Sequence, residues 1–313
     1  MNFEMKSTAK ERTAYLAPEG LETQTRHFLK NISQEYGRLI VANGPKEFCP
    51  FAQNIWTQPE LIQFTSISDA ASKLKAMQRN WFPYSYQLHR RTGLIQEKLP
   101  FVNFKPLTYP AKKITAPLGS YTLIDENTML AAPTCSSLYP NGEPEFIENH
   151  IDPPSRAYMK LFEAFTVIGA LPETHETCLE LGAAPGGWTW VIAKSGAKVI
   201  AVDRAELDPR ISALRNVTFR AGDAFTMTPE KIGPIDWLIS DIICYPEKLF
   251  DFMNVWLASG DCKNFLLTLK FQGETNYKII EAFSAVPGSQ LYHLNANKHE
   301  LTWFHQVSPQ AYN

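Results

Sequence analysis

From residue 177 onward, apolar runs of strand length alternate with helical stretches, and this alternation narrows the possible folds more than any other feature of the chain. The runs are TCLELGA (177–183), AKVIAVD (197–203), NVTFRAG (216–222), DWLISDI (236–242) and NFLLTLKF (264–271), with helices expected from Gly187, Lys248 and Asn276. Strands that are apolar on both faces and separated by helices predict a mostly parallel α/β sheet covered on both sides. Two more segments, SQLYHLNA and HELTWFHQV, are parted only by Asn297 and Lys298, a gap that requires a hairpin and so an antiparallel strand at the end of the sheet. The chain has 313 residues, enough for about two domains. Nine prolines between Pro100 and Pro154 predict short strands, turns and a linker there, with the boundary within Tyr139 to Pro154. The expected division is therefore a smaller α+β domain over 1–150 and the α/β domain over 151–313.

In an open parallel sheet, ligands bind beyond the carboxyl ends of the strands. The first strand runs into Gly182-Ala183-Ala184-Pro185-Gly186-Gly187-Trp188, a turn whose glycines allow close backbone approach to a ligand, with Glu180 just ahead of it to hold a cationic or hydroxyl group. Asp203 ends the second strand, 21 residues after Gly182, where a carboxylate accepts from both hydroxyls of a ribose. Asp223 follows the third strand, placed for an adenine edge, and Asp241 ends the fourth. Carboxylates at three successive strand ends predict a nucleoside-type cofactor. The order GAAPGG lacks the second glycine that makes room for a pyrophosphate, so S-adenosylmethionine is expected rather than a dinucleotide.

ELGAAPGGWTWVIAKSGAKVIAVDRAELDP resembles the cofactor motif of FtsJ-type ribose 2'-O-methyltransferases, and PPSRAYMKLFEAF resembles the helix that precedes it in that family. With SDIICYP, LKFQGE and NKHELTWF, the resemblance spans Pro153 to about Phe304, and it is closest to the branch that methylates a cytidine of large-subunit rRNA. It implies a Rossmann-like methyltransferase fold, a Lys-Asp-Lys-Glu catalytic set at Lys160, Asp241, Lys270 and Glu300, and an N-terminal RNA-recognition region of ferredoxin-like or THUMP-like type. Such a set suits the chemistry, because a ribose hydroxyl is a poor nucleophile until it is placed in line and its proton is removed or held. Lys270 is expected at the hydroxyl, as general base or as orienting group, with Asp241 positioning it and Lys160 and Glu300 completing the site. Lys270 directly precedes Phe271-Gln272-Gly273, one residue closer than the family pattern. A local bulge or a shifted strand end is therefore expected to restore its direction.

The formal net charge of −2 argues against a protein that coats nucleic acid by bulk charge, but it averages over unequal segments. Residues 1–70, 71–113, 114–150 and 151–313 carry nets of −1, +8, −5 and −4. The basic block holds Lys73, Lys75, Arg79, Arg90, Arg91, Lys98, Lys105, Lys112 and Lys113 among Trp81, Phe82, Tyr84, Tyr86, Phe101, Phe104 and Tyr109. By itself it fits a solvated lysine face over an aromatic core as well as an RNA surface; the ribose methyltransferase motifs favour RNA. Lys73, Lys75, Arg79, Arg90, Arg91 and Arg156 are the candidate RNA contacts. The remaining readings are the same chemistry on tRNA, an mRNA cap or a small molecule, and a non-catalytic RNA-binding protein. Five cysteines without a CxxC pair, and His293, His299 and His305 spread along a hairpin, predict neither a disulfide framework nor a metal site. Cys244 is expected in the core. The charged first twenty residues and the lack of a long apolar run point to a cytoplasmic protein rather than a secreted or membrane one.

Overall fold

The computed structural model describes residues 11–111 and 114–307. Lys112 and Lys113 of the basic block, and the first ten residues read for targeting signals, lie outside the described residues. Among the described residues, 11–105 pack with 114–144 into one compact unit, and 106–111 pack with 145–307 into a second.

The first unit runs β1 (Arg12–Leu16), α1 (Glu22–His27), β2 (Ile32–Tyr36), β3 (Leu39–Asn43), β4 (Asn54–Thr57), β5 (Glu60–Gln63), α2 (Ile67–Met77), β6 (Trp81–Pro83), α3 (His89–Gln96), β7 (Gly119–Leu123), β8 (Thr128–Ala132) and β9 (Thr134–Cys135). It holds two sheets, ordered β2-β3-β1-β4-β9 and β5-β8-β7-β6. The first is antiparallel throughout, whereas β6 and β7, joined through α3, pair in parallel. The second sheet is built in the order β-α-β-α-β-β. Ser66 caps α2 by accepting from the Asp69 amide, and the helix buries Ala70, Ala71 and Leu74. These residues join a core with Trp81, Ile95 and Tyr121.

The second unit contains α4 (Tyr158–Ile168), β10 (Thr177–Leu181), α5 (Gly187–Lys194), β11 (Lys198–Asp203), α6 (Pro209–Ser212), β12 (Val217–Ala221), α7 (Pro229–Ile232), β13 (Ile235–Ser240), α8 (Pro246–Ser259), β14 (Cys262–Lys270), α9 (Tyr277–Ser284), β15 (Gln290–Tyr292) and β16 (Glu300–Gln306). One seven-stranded sheet runs β12-β11-β10-β13-β14-β16-β15. The strands from β12 to β14 are parallel, and β16 is antiparallel to both of its neighbours. This is the Rossmann-like arrangement expected, with the antiparallel strand second from the edge and β15 outside it. The strand order reverses between β10 and β13, so the carboxyl ends of these two strands flank the crevice where α/β folds take ligands.

The hairpin is looser than its sequence suggests. β15 ends at Tyr292, and residues 293–299 form the connection. Within that segment His293 bonds to the Lys298 carbonyl at 3.0 Å, and Asn297 donates to the Thr302 hydroxyl of β16 at 3.2 Å. Helix α8 begins at Pro246, two residues before the expected Lys248, because proline lacks the N–H that the first helical turn would leave unpaired.

Candidate functional site

A cavity of about 610 Å³ opens at the carboxyl ends of β10 to β14, lined among others by Gly182, Ala184, Asp203, Asp223, Asp241 and Lys270. Gly182 sits at φ +78°, and a Cβ there would come within 2.8 Å of the Ile242 Cα. Only glycine allows the ends of β10 and β13 to approach this closely. Asp203 is built into the turn, with Oδ2 accepting from the Ala184 amide and Oδ1 from the Ala205 amide, both at 2.9 Å. The Phe225 amide and the Arg204 guanidinium, each at 3.0 Å, hold the Asp223 carboxyl below the usual carboxylate range.

The other expected cofactor residues form the scaffold behind that wall and do not line the cavity. Glu180 is buried and accepts from the Thr189 hydroxyl at 2.7 Å, and burial pushes its pKa up to about 8. Trp188 turns inward and donates from Nε1 to the Ala157 carbonyl at 2.8 Å. Ala183 is buried, the peptide before Pro185 is cis, Gly186 packs on Ile211, and Gly187 lies against Ser155. Several residues that do line the cavity were not singled out from sequence: Arg204, Phe225, Lys248 and Gln272. Arg204 directly follows Asp203 and Phe225 lies two residues beyond Asp223, so position relative to the strand-end acids was the available signal. Cys244 also lines the cavity instead of the core, and burial raises its thiol to about 11, so it is not a thiolate.

Four charged side chains from α4, β14, β16 and the end of β13 meet at one edge of this cavity. Lys160 Nζ lies 2.9 Å from Asp241 Oδ1 and 2.5 Å from Glu300 Oε1, and Lys270 Nζ lies 3.2 Å from Asp241 Oδ2 and 2.5 Å from the Asp241 carbonyl. Lys160 is far from the exposed helix lysine that its sequence position alone would allow, being only 9% exposed. Burial works against its charge, but the Asp241 and Glu300 carboxylates outweigh that effect and raise its pKa. Two ammonium groups and two carboxylates leave the cluster formally neutral, which is how such a concentration of charge tolerates partial burial. The expected bulge is absent: β14 and β16 pair without interruption from Asn264↔Gln306 to Lys270↔Glu300. Lys270 is instead the last residue of its strand, and there its side chain reaches back to Asp241.

Residues 153–272 match the FtsJ-like methyltransferase family. The matched stretch lies within the second unit. The chain is also 32% identical over 134 residues to ribosomal RNA large subunit methyltransferase M of Azoarcus sp. (strain BH72), a stretch covering 41% of this chain and 36% of that one. Its counterpart from Methylococcus capsulatus is 33% identical over 171 residues, covering 53% and 45%, and that of Aromatoleum aromaticum 30% identical over 183 residues, covering 56% and 48%. The aligned stretches thus span between a third and a half of these relatives' own length. Lys160, Asp241 and Lys270 fall within the matched stretch, and Glu300 joins them from beyond it.

The candidate RNA contacts lie outside the stretch matched by the family except for Arg156, which is exposed and pairs with Glu148 at 2.6 Å. Lys73 and Lys75 lie on α2, Arg90 and Arg91 on α3, and Arg79 between α2 and β6. Lys75, Arg79 and Arg90 are exposed. Lys73 is tied to Asp69 at 3.1 Å and to the Gln63 carbonyl at 2.6 Å, and Arg91 is half-buried over the Phe64 ring. The interleaved aromatics are mostly structural. Trp81 and Tyr84 are core residues, and Tyr109 stacks on Phe162 within the second unit at 3.8 Å. Phe101, 86% exposed, is the exception.

Proposed function

We propose that the chain transfers a methyl group from S-adenosylmethionine to a ribose 2'-hydroxyl of RNA, with large-subunit rRNA as the substrate and the cytoplasm as the place of reaction. The observation that carries this reading is the ion-pair cluster of Lys160, Asp241, Lys270 and Glu300, of which Asp241 and Lys270 line the cavity at the strand ends. The cavity fits the cofactor on its own features: carboxylates at the ends of successive strands and about 610 Å³ of space. Asp203 would hold the ribose hydroxyls of the cofactor, and Asp223 with the Phe225 ring its adenine. When bound, S-adenosylmethionine supplies an electrophilic methyl group on a sulfonium.

The chain's own contribution is placement and control of a proton. Lys160, held charged between two carboxylates, is a fixed cation and not a base. Lys270 lines the cavity and is paired with a single carboxylate, so it is the group positioned to receive or orient the hydroxyl proton. Asp241 grips both lysines, which fixes the distance between them. The exposed bases Lys75, Arg79 and Arg90 supply phosphate contacts without base specificity. Mapping 2'-O-methylated positions in rRNA from cells with and without the gene tests the substrate. Loss of a discrete position is expected, and an unchanged map would discard rRNA.

A further inference from the structure

The segment joining β13 to α8 reads Asp241-Ile242-Ile243-Cys244-Tyr245, and it exposes two large side chains beside the lysine and carboxylate cluster. Ile243 is 77% exposed and Tyr245 65% exposed, and both line the cavity that holds Lys270. The segment is pinned at each end and in its middle. The Asp241 amide donates to the Leu181 carbonyl at 3.3 Å, Ile242 closes on Gly182, and the Tyr245 carbonyl accepts from Lys248 at 3.1 Å as α8 begins. The two side chains are therefore presented outward from a fixed frame. A tyrosine ring brings roughly 150–250 Å² of burial to whatever covers it, so an exposed one at a cavity rim is a ready contact surface.

The occupant follows from what must enter the site. A ribose whose hydroxyl reaches Lys270 brings its own base with it, and Tyr245 is only four residues from Asp241, a span of at most about 14 Å of extended chain. We infer that Tyr245 and Ile243 form the platform on which the base of the target nucleotide stacks, with the Tyr245 ring as its main face. This rests on the reading of the chain as an RNA ribose methyltransferase.

The test uses the full chain and its Tyr245→Ala, Tyr245→Phe and Ile243→Ser variants. Each is measured for kcat and KM with rRNA, and for the Kd of a fluorescein-labelled single-stranded RNA of mixed sequence. Stacking on an aromatic side chain is worth about 1–3 kcal/mol per base, so Tyr245→Ala should raise KM and Kd roughly tenfold. Tyr245→Phe, which keeps the ring, should restore both, and Ile243→Ser should have a smaller effect than Tyr245→Ala. Unchanged RNA binding in Tyr245→Ala would overturn the platform, and so would a Tyr245→Phe protein as impaired as Tyr245→Ala. The second result would assign the effect to the hydroxyl or to a protein contact. If wild-type protein transfers no methyl group to RNA, the ribose chemistry fails by itself, and the binding arm still decides the platform: weaker binding by Tyr245→Ala supports it, and equal binding refutes it.

Discussion

Glu180 carries an ionisable carboxyl in the core beneath the glycine-rich turn, where charging it is costly. Its pKa is pushed from about 4.5 up to about 8 by burial, against the lowering effect of the Thr189 hydroxyl. Between those two values the folded chain binds one more proton than the unfolded chain, so stability falls as pH rises through that window. Glu180→Gln keeps an acceptor for Thr189 and removes the ionisation. Thermal unfolding from about pH 5 to pH 8 should show the wild-type Tm falling relative to the variant, by the equivalent of a few kcal/mol in all. A gap that does not change with pH would contradict the burial argument. Some of this scale was legible beforehand: a lysine at the end of FLLTLKF and an aspartate closing a buried strand are costly unless they are paired, and Lys270 and Asp241 pair with each other. The inward turn of Trp188 was not legible, because a GGW string specifies a turn and a large ring but not the carbonyl that the indole will find.

At the scale of elements, α4 holds the site together in two places. Lys160 binds Glu300 at the start of β16, and one turn later the buried Glu163 accepts from the Asn295 and Ala296 amides at 2.6 and 2.9 Å. The connection that delivers Glu300 is thereby fixed to the same helix that delivers Lys160. Removing the carboxylate in Glu163→Ala leaves two amides without that acceptor, at a cost on the order of 1–3 kcal/mol each. The expected outcome is a lower Tm and faster hydrogen exchange at the Asn295 and Ala296 amides, together with reduced kcat. Wild-type protection of those two amides would show that the clamp is not what orders the connection. Sequence pattern identified β10, β11, β13 and β14 well because their apolar runs are nearly continuous, and it found the edge strand β12 although VTFRA is largely exposed. It overextended β15, because SQLYHLNA looks like a strand until His293 turns its hydrogen bond back into the loop and Asn297 bonds to Thr302 of β16.

At the scale of the whole chain, a net charge of −2 conceals a +8 segment, and the exposed part of that segment lies in the unit that lacks the lysine and carboxylate cluster. The aromatic half of that block was misleading in sequence, since rings that pack a core and rings that stack bases have the same composition, and only burial separates Trp81 from Phe101. Reversing Lys75, Arg79 and Arg90 to glutamate should weaken RNA binding and flatten its salt dependence by roughly 0.7 in logarithmic slope for each phosphate no longer neutralised. Titration of labelled RNA at several salt concentrations measures this, and an unchanged slope would remove these residues from the interface. The most direct test of ribose chemistry at the four-residue cluster is nucleoside analysis of rRNA after incubation with methyl-labelled S-adenosylmethionine and either wild-type protein or Lys270→Ala. Label is expected in a 2'-O-methylated nucleoside with wild type and in none with Lys270→Ala, while both proteins bind the cofactor alike. Label on a base, or wild-type turnover by Lys270→Ala, would contradict it.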